Sequence, residues 1–179
     1  MKTYDTFKAM SIYLPHENGK ASTMNFGLVD KRPRISVFLN DAEDGGFKLV
    51  NIKLTFIAVA TLLGLIKKAT ELENPDFTFN SFDTVFTEDG ERTQDVKLIG
   101  SMKIHRDARG LITLSVKVVD GKTYPFIIKL QNRYHIVKST DKDITDSKGL
   151  SNVTVAMFID MLLYMFATVV HDNRHTVER

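Results

Sequence analysis

Alternation of apolar and polar side chains in four segments constrains the fold of this 179-residue chain more than any other feature. A period of two is typical of strands that bury one face. From 96 to 104 the even positions are mainly apolar, and the odd positions are mainly basic or polar. The apolar row is Val96, Leu98, Met102 and Ile104, and the opposite row is Lys97, Ser101, Lys103 and His105. We therefore predict a half-buried strand whose odd positions face outward.

The next two segments predict a hairpin with its apolar rows on one face. The first strand buries Ile112, Leu114, Val116 and Val118 and exposes Thr113, Ser115 and Lys117, and the second exposes Thr123, Pro125, Ile127 and Lys129. A two-residue turn at Asp120 and Gly121 would separate the apolar rows, whereas a three-residue loop over 119–121 keeps them together. That loop pairs Val118 with Lys122, Val116 with Tyr124, Leu114 with Phe126 and Ile112 with Ile128. Gly121 is then expected in the left-handed conformation of a bulged turn.

The first half of the chain shows the same alternation more weakly. Its apolar face consists of Met10, Ile12, Leu14, Met24, Phe26, Leu28, Ile35, Val37 and Leu39, and its other face of Ser11, Tyr13, Asn25, Arg34, Ser36, Phe38 and Asn40. The second face carries two aromatic rings, on Tyr13 and Phe38, with the cations Arg34, Lys31, Arg32 and Lys48 nearby. Rings among cations fit a single-stranded nucleic acid, whose bases stack and whose phosphates need neutralising. A solvated sheet, with lysines that prevent edge pairing, is the alternative interpretation.

Two apolar segments follow the strand-rich regions and predict helices. The predicted bounds are Thr55 to Lys68 for the first helix and Val153 to about Val170 for the second, with Ser151 or Asn152 as its N-cap. Both segments are apolar nearly all round, so we expect each helix to be covered by its own sheet and by another helix. A methionine stripe on the second helix is typical of a core or a helix–helix interface. It consists of Met157, Met161 and Met165.

These elements predict an α+β fold in which two strand-rich antiparallel halves each end in a buried apolar helix. We expect one domain over residues 1–179, made of two pseudo-repeats of about 1–73 and 76–172 that share architecture. The net charge of +2 gives no overall basic field, so affinity for nucleic acid depends on how the cations are distributed. Aspartate and glutamate gather in predicted loops, away from the outward strand faces.

The absence of cysteine excludes disulfides, cysteine nucleophiles and thiolate metal sites. It fits a reducing compartment, and no signal-peptide pattern precedes the first strand, so we expect a cytoplasmic location, in the host if the protein is viral. The apolar run over 153–170 raises the alternative of a membrane anchor, which Asp160 near its middle disfavours. We expect no membrane contact.

Catalytic signals in the sequence are thin. His171 and His175 stand four apart, but no glutamate follows the first as in zinc proteases, and their place near the C-terminus favours a frayed tail. His105 on the basic face is interpreted as a surface contact or solvent residue rather than a general base. A phosphate-cradling glycine loop and a serine elbow are both missing. We expect no enzyme, no cofactor and no metal.

The order of strands, helix, strands and helix resembles the Whirly fold and the related transcriptional positive cofactor 4 proteins, including bacteriophage members that bind single-stranded DNA. The most similar part is Arg34-Ile-Ser-Val-Phe-Leu-Asn, then Phe47-Lys-Leu-Val, then the helix at Thr55. The lysine-glycine-lysine-alanine motif of plant Whirly proteins is absent, so no residue role is carried over from them. The resemblance implies single-strand binding on a curved antiparallel sheet and a homo-oligomer assembled through helices.

We therefore predict a non-catalytic protein that binds single-stranded DNA or RNA without sequence preference, in replication, recombination or transcription. The predicted nucleic-acid contacts are Tyr13, Lys31, Arg32, Arg34, Phe38, Lys48, Lys103, His105, Arg106, Arg109, Lys117 and Lys122. The predicted oligomer interface consists of Met157, Met161 and Met165. Two alternatives stay open: an interaction or regulatory subunit that docks through the Met-rich helix, and an enzyme with an acidic pocket in loops 41–46 or 88–95.

Overall fold

The computed structural model describes residues 4–6, 10–15, 21–29, 32–40, 47–117, 121–129, 136 and 143–174. The first sheet contains β1 (Tyr4–Thr6), β2 (Ile12–Pro15), β3 (Ala21–Val29), β4 (Arg32–Asn40) and β5 (Phe47–Lys53). All of its strand pairs are antiparallel. β1 and β2 pair with successive stretches of the same edge of β3, so these five strands make a sheet only four strands wide.

The second sheet is an antiparallel meander of consecutive strands. It contains β6 (Phe77–Phe86), β7 (Arg92–Arg106), β8 (Ile112–Lys117) and β9 (Thr123–Ile127). The register of the last hairpin confirms the predicted pairs Val116 with Tyr124 and Leu114 with Phe126. Gly121 has a φ of +89°, in the left-handed region as expected. The predicted partners at Val118 lie outside the described residues.

The two helices are α1 (Phe56–Ala69) and α2 (Lys148–Arg174). α1 begins as predicted, because the Thr55 hydroxyl accepts a hydrogen bond of 3.1 Å from the backbone N–H of Ala58. α2 begins earlier than predicted, with the Ser147 hydroxyl accepting from the N–H of Leu150 at 3.3 Å. Ser151, the predicted cap, lies inside the helix and accepts from the N–H of Ile112 on β8 at 3.1 Å. The polar residues before 153 belong to the first turn of the helix rather than to a loop.

The inner face of each sheet is defined here as the face that packs on the core, and the outer face as the opposite one. Both inner faces and one face of each helix share a single core among the described residues. Its fully buried members include Met24, Phe26, Val37, Leu62, Met102, Phe126 and Leu162. Burying each such large side chain contributes about 1.5–3 kcal/mol. The α+β class expected from the sequence is confirmed.

The helices lie antiparallel, since Lys148 at the start of α2 pairs with Glu73 beyond the end of α1, and Lys67 pairs with Asp160. Each helix exposes an apolar stripe, so the expectation that both are covered on two sides is wrong for the single chain. The stripe of α2, called the α2 stripe, consists of Val153, Met157, Met161 and Tyr164. Residues Lys148–Thr168 are long and apolar enough to cross a bilayer, but one helix of this kind is weak evidence of a membrane span.

Candidate nucleic-acid interface

The outer face of the first sheet carries one cross-strand row of exposed rings and apolar side chains. The register aligns Tyr13 with Thr23, Thr23 with Phe38, and Phe38 with Leu49. Tyr13 is 48% exposed, Leu49 is 46% exposed and Phe38 is half-buried. Neighbouring strands are about 4.8 Å apart, so the two aromatic residues stand about 10 Å apart across the sheet. We call these four residues the aromatic row. Alternation predicted Tyr13 and Phe38, whereas Leu49 was missed because β5 was not interpreted as part of this face.

Polar side chains separate the aromatic row from cations farther along the strands. Asn25, Ser36 and Asn51 face one another in the next row, where the Ser36 hydroxyl donates to Asn51 Oδ1 at 2.8 Å. Arg34 and Lys53 form the row beyond it. Arg34 is four residues from Phe38, about 13 Å along an extended strand. The first sheet therefore offers stacking and positive charge at two ends of one surface.

The cations of the first sheet differ in how much of their charge is already compensated. Lys53 Nζ lies 2.5 Å from Asp83 Oδ2 of β6, and this hydrogen bond holds the pKa of the Asp83 carboxyl below its usual value. Arg32 is exposed at the start of β4. Lys31 lies outside the described residues.

Lys48 lies on the other side of the sheet from Phe38. The register pairs it with Leu39, whose side chain is fully buried on the inner face. Its side chain is exposed where β5 begins. The structure weakens the predicted nucleic-acid contact of Lys48, which was expected near the two rings, because the register places it on the opposite face from them.

An extra residue in β7 changes the outer face of the second sheet. Ser81 pairs with Gly100 and Phe82 pairs with Leu98, so Ile99 has no partner on β6. Such a β-bulge reverses the facing of every residue on one side of it relative to strict alternation. Past the bulge, Met102 and Ile104 are fully buried, and Lys103 faces outward as predicted.

Before the bulge the predicted faces of β7 are reversed. Val96 is 64% exposed and Leu98 is 44% exposed, and they share the outer face with Phe82, which is 55% exposed. Lys97 pairs in register with Asp83 on the opposite side of the strand pair. The prediction that Val96 and Leu98 are buried and that Lys97 faces outward was wrong because of the bulge. Phe82, an exposed ring on the same face as Lys103, was missed because the segment that forms β6 was not predicted as a strand.

The lysines on the outer face of the second sheet are unequally compensated. Lys103 Nζ lies 3.0 Å from the carboxylate of Asp76, at the start of β6. Lys117 is exposed between Ser101 and Thr123 and forms no ion pair with any described residue. Lys122 is exposed just before β9. Of Lys103 and Lys117, Lys117 is therefore the cation that is more available to a ligand on this face.

His105 lies half-buried on the outer face, in register with Thr113. Thr113 and Ser115 are buried on this face, so the prediction that β8 exposes them was wrong. Burial lowers the pKa of His105, and the positive charge of Lys103 lowers it further. Its buried Nδ1 has no hydrogen-bond partner among the described residues. A neutral imidazole at this place supplies a polar contact rather than a positive charge at neutral pH.

Arg106 holds the fold together instead of facing a ligand. Its guanidinium donates to the carbonyl oxygens of Ala69, Thr70 and Leu72, where α1 ends, and to Asn152 Oδ1 on α2. The register places it opposite Ile112, on the inner face. The structure weakens the assignment of Arg106 to phosphate binding, because its donors satisfy the last carbonyls of a helix.

Arg109 has its charge compensated by two aspartates. It lies 2.9 Å from Asp107 and 3.3 Å from Asp146, in the turn between β7 and β8. Although burial alone would raise it, the pKa of Asp107 is lowered by hydrogen bonds from the N–H of Leu111 and from Arg109. Arg109 is thus a turn-stabilising residue, and the structure weakens its assignment to phosphate binding.

The predicted oligomer interface is divided between the surface and the core. Met157 and Met161 are 57% and 53% exposed, whereas Met165 is partly buried and packs against the core. Because 3.6 residues make one turn, a spacing of four drifts around the helix, and Tyr164 rather than Met165 continues the exposed stripe. Tyr164 is 74% exposed.

No group of three metal-ligating side chains was found in the part of the chain that the structure describes. The side chain of His171 and all of His175 fall outside it. The chain matches no protein-family model, and neither a curated protein nor a solved structure matches it.

Proposed function

We propose that this protein binds single-stranded nucleic acid, DNA in the first place, without sequence preference and without cleaving it. The observation that carries the proposal is the aromatic row, where Tyr13 and Phe38 stand on one open sheet face with polar side chains and Arg34 beyond them. Each base stacked on such a ring contributes about 1–3 kcal/mol, and every base has a face to stack.

Cations on both sheets supply the second requirement of the proposal. Arg32 and Arg34 are the cations that we assign to phosphates on the face of the aromatic row. On the outer face of the second sheet we assign Lys117, with Lys103 contributing less because of Asp76. Among the described strand residues, no aspartate or glutamate is a cross-strand neighbour of these cations on the outer faces. A chain with a net charge of only +2 can bind a polyanion through such a local arrangement.

The order of elements and this surface agree with the resemblance to Whirly and transcriptional positive cofactor 4 proteins, which we propose as relatives. A role in replication, recombination or transcription follows from coating single strands. We further propose a homo-oligomer whose subunits meet through the α2 stripe, since its four large side chains are each more than half exposed in the single chain.

The test is fluorescence anisotropy of a labelled oligo-dT of about 30 nucleotides at several salt concentrations, with a duplex of equal length as competitor. We expect submicromolar binding that weakens steeply with salt, because neutralising phosphates releases counterions. Duplex should compete poorly. Absence of binding at low salt contradicts the proposal.

The α2 stripe also supports the second candidate function, an interaction subunit that docks a partner protein through its apolar face. Sedimentation separates the two. We expect an oligomer that Met161→Lys converts to a monomer, with the melting temperature retained because the side chain is exposed. A wild-type monomer that fails to bind oligo-dT instead favours the interaction subunit.

A further inference from the structure

The parts of β6 and β7 beyond the bulge form a two-stranded arm, residues 82–86 and 92–98. Among the described residues, β8 pairs with β7 over 101–106 and no third strand pairs with the arm. The arm exposes Phe82, Leu98 and Val96 on one face, with Phe82 paired to Leu98 and Thr84 to Val96. Contiguous exposed apolar side chains of this kind mark an interaction site.

Charge is divided between the two faces of the arm. Lys103 lies on the face of Phe82 and Leu98, past the bulge. Glu88, Asp89 and Glu91 are exposed in the turn at the other end of the arm. Asp83 pairs with Lys97 on the opposite face, and Asp95 is two residues from Lys97 along the strand. A face with an aromatic ring, apolar side chains and lysines at the end nearer the bulge suits single-stranded nucleic acid better than an apolar protein partner.

This face does not continue the surface of the aromatic row. Lys53 extends from the outer face of the first sheet to Asp83, on the side of the arm away from Phe82. The Ser81 hydroxyl also donates to the backbone carbonyl of Lys53, at 3.4 Å. The first sheet therefore meets the arm from behind, and the rings of Phe38 and Phe82 belong to surfaces that face different directions.

We propose that the outer face of the second sheet is a second, separate site for single-stranded nucleic acid, with Phe82 and Leu98 contacting bases and Lys103 and Lys117 contacting phosphates. One chain then holds two strand segments at once, as required to bridge or pair two strands. This inference rests on the proposed function, since it assigns a second ligand of the same class.

The experiment counts bound strands. A short oligo-dT of about 12 nucleotides is titrated into wild-type protein well above the dissociation constant, and calorimetry gives the number bound per chain. We expect two for the wild type and one for the double variant Phe82→Ala with Leu98→Ala. The affinity lost at the second site is expected to be about fivefold to a hundredfold. Phe38→Ala should abolish or weaken only the first site.

Lys97→Ala is the matched control, because it changes the same arm on its opposite face and should leave two strands bound. Val96→Glu is the second variant, which adds a negative charge to the outer face without truncating the Phe82 and Leu98 pair; it too should leave one strand bound.

A wild-type chain that binds one strand, which Phe38→Ala loses and Val96→Glu retains, overturns the second site while keeping the proposed function. No strand bound to the wild type contradicts the proposed function itself. Altered sedimentation with unchanged oligo-dT stoichiometry in the arm variants assigns the arm to a protein contact and overturns the inference.

Discussion

The outer faces of both sheets were predicted from the same alternating pattern, but only the first sheet has the predicted residues on its outer face throughout. In the first sheet the register from β2 to β5 is unbroken. Tyr13, Phe38 and Arg34 therefore share a face, as alternation predicts. In the second sheet a bulge at Ile99 moves Leu98 to the outer face and Lys97 away from it. Alternation therefore predicts the sheet face on which a side chain lies only where the strand contains no bulge.

The same contrast applies to positive charge. Lys117 is exposed on the second sheet, whereas Arg106 and Arg109, close to it in sequence, are engaged in helix and turn contacts. Residue type alone did not distinguish these roles. A cation is available to a ligand only if no carbonyl or carboxylate within the fold has already engaged it.

The largest effect is expected at Arg106. Replacing it with Ala leaves the carbonyls at the end of α1 and Asn152 without their donor, and should lower the free energy of unfolding by about 2–3 kcal/mol. Urea denaturation measures this. Arg109→Ala, which removes the ion pairs of a half-exposed guanidinium with Asp107 and Asp146, is the matched control and should cost less than about 1 kcal/mol. Equal losses for the two arginines contradict the structural role of Arg106.

The next effect is at Phe38. Phe38→Ala should weaken oligo-dT binding at the first site by about 2 kcal/mol, near thirtyfold, because a stacking surface is lost. Both chains compared carry Phe82→Ala and Leu98→Ala, so that the second site does not contribute. Fluorescence anisotropy gives the dissociation constant. Ile57→Ala on α1, where the side chain is 80% exposed and far from the aromatic row in sequence, should leave it unchanged. Unchanged affinity in Phe38→Ala removes this residue from the site.

A smaller effect is expected from reversing single lysines. Lys117→Glu should weaken every sequence alike and flatten the logarithmic salt dependence by about 0.7, the value for one phosphate of a single strand. Lys103→Glu should do less, since Asp76 already compensates part of that charge. Lys97→Glu, on the opposite face, should leave the slope unaltered. A slope that responds to Lys97 and not to Lys117 contradicts the facing described for β7.

The smallest effect concerns pH. The pKa of Asp107 is lowered in the folded chain, so the ionised carboxylate stabilises the fold. This contribution, about 1 kcal/mol, is complete above the ordinary pKa of 3.8 and is lost as pH falls below it toward the folded-state value. Comparing denaturation of the wild type and Asp107→Asn across acidic pH measures it. The two curves should converge at the acid end, and a constant difference would show that Asp107 acts through its shape alone.

The parts of the fold that the sequence predicted are those decided by local chemistry. The Thr55 cap, the inner rows through Met24, Phe26 and Val37, and the left-handed Gly121 follow from side-chain type and spacing along one segment. The start of α2 was misplaced because polar residues at 148–152 are compatible with both a loop and a first helical turn. Ser147 decides between them by capping the helix.

Alternation by itself determined that this chain forms half-buried strands with an aromatic outer row at Tyr13 and Phe38, because burial along a regular strand has a period of two. Only the tertiary structure decided where that period breaks, since a bulge at Ile99 depends on how two strands pair. It also decided which cations are already engaged: the carbonyls bound by Arg106 on α1, and Asn152 on α2, lie 34 to 46 residues away along the chain. The local sequence pattern does not show contacts with partners so far away along the chain, because these residues come together only when the helices pack on the sheets.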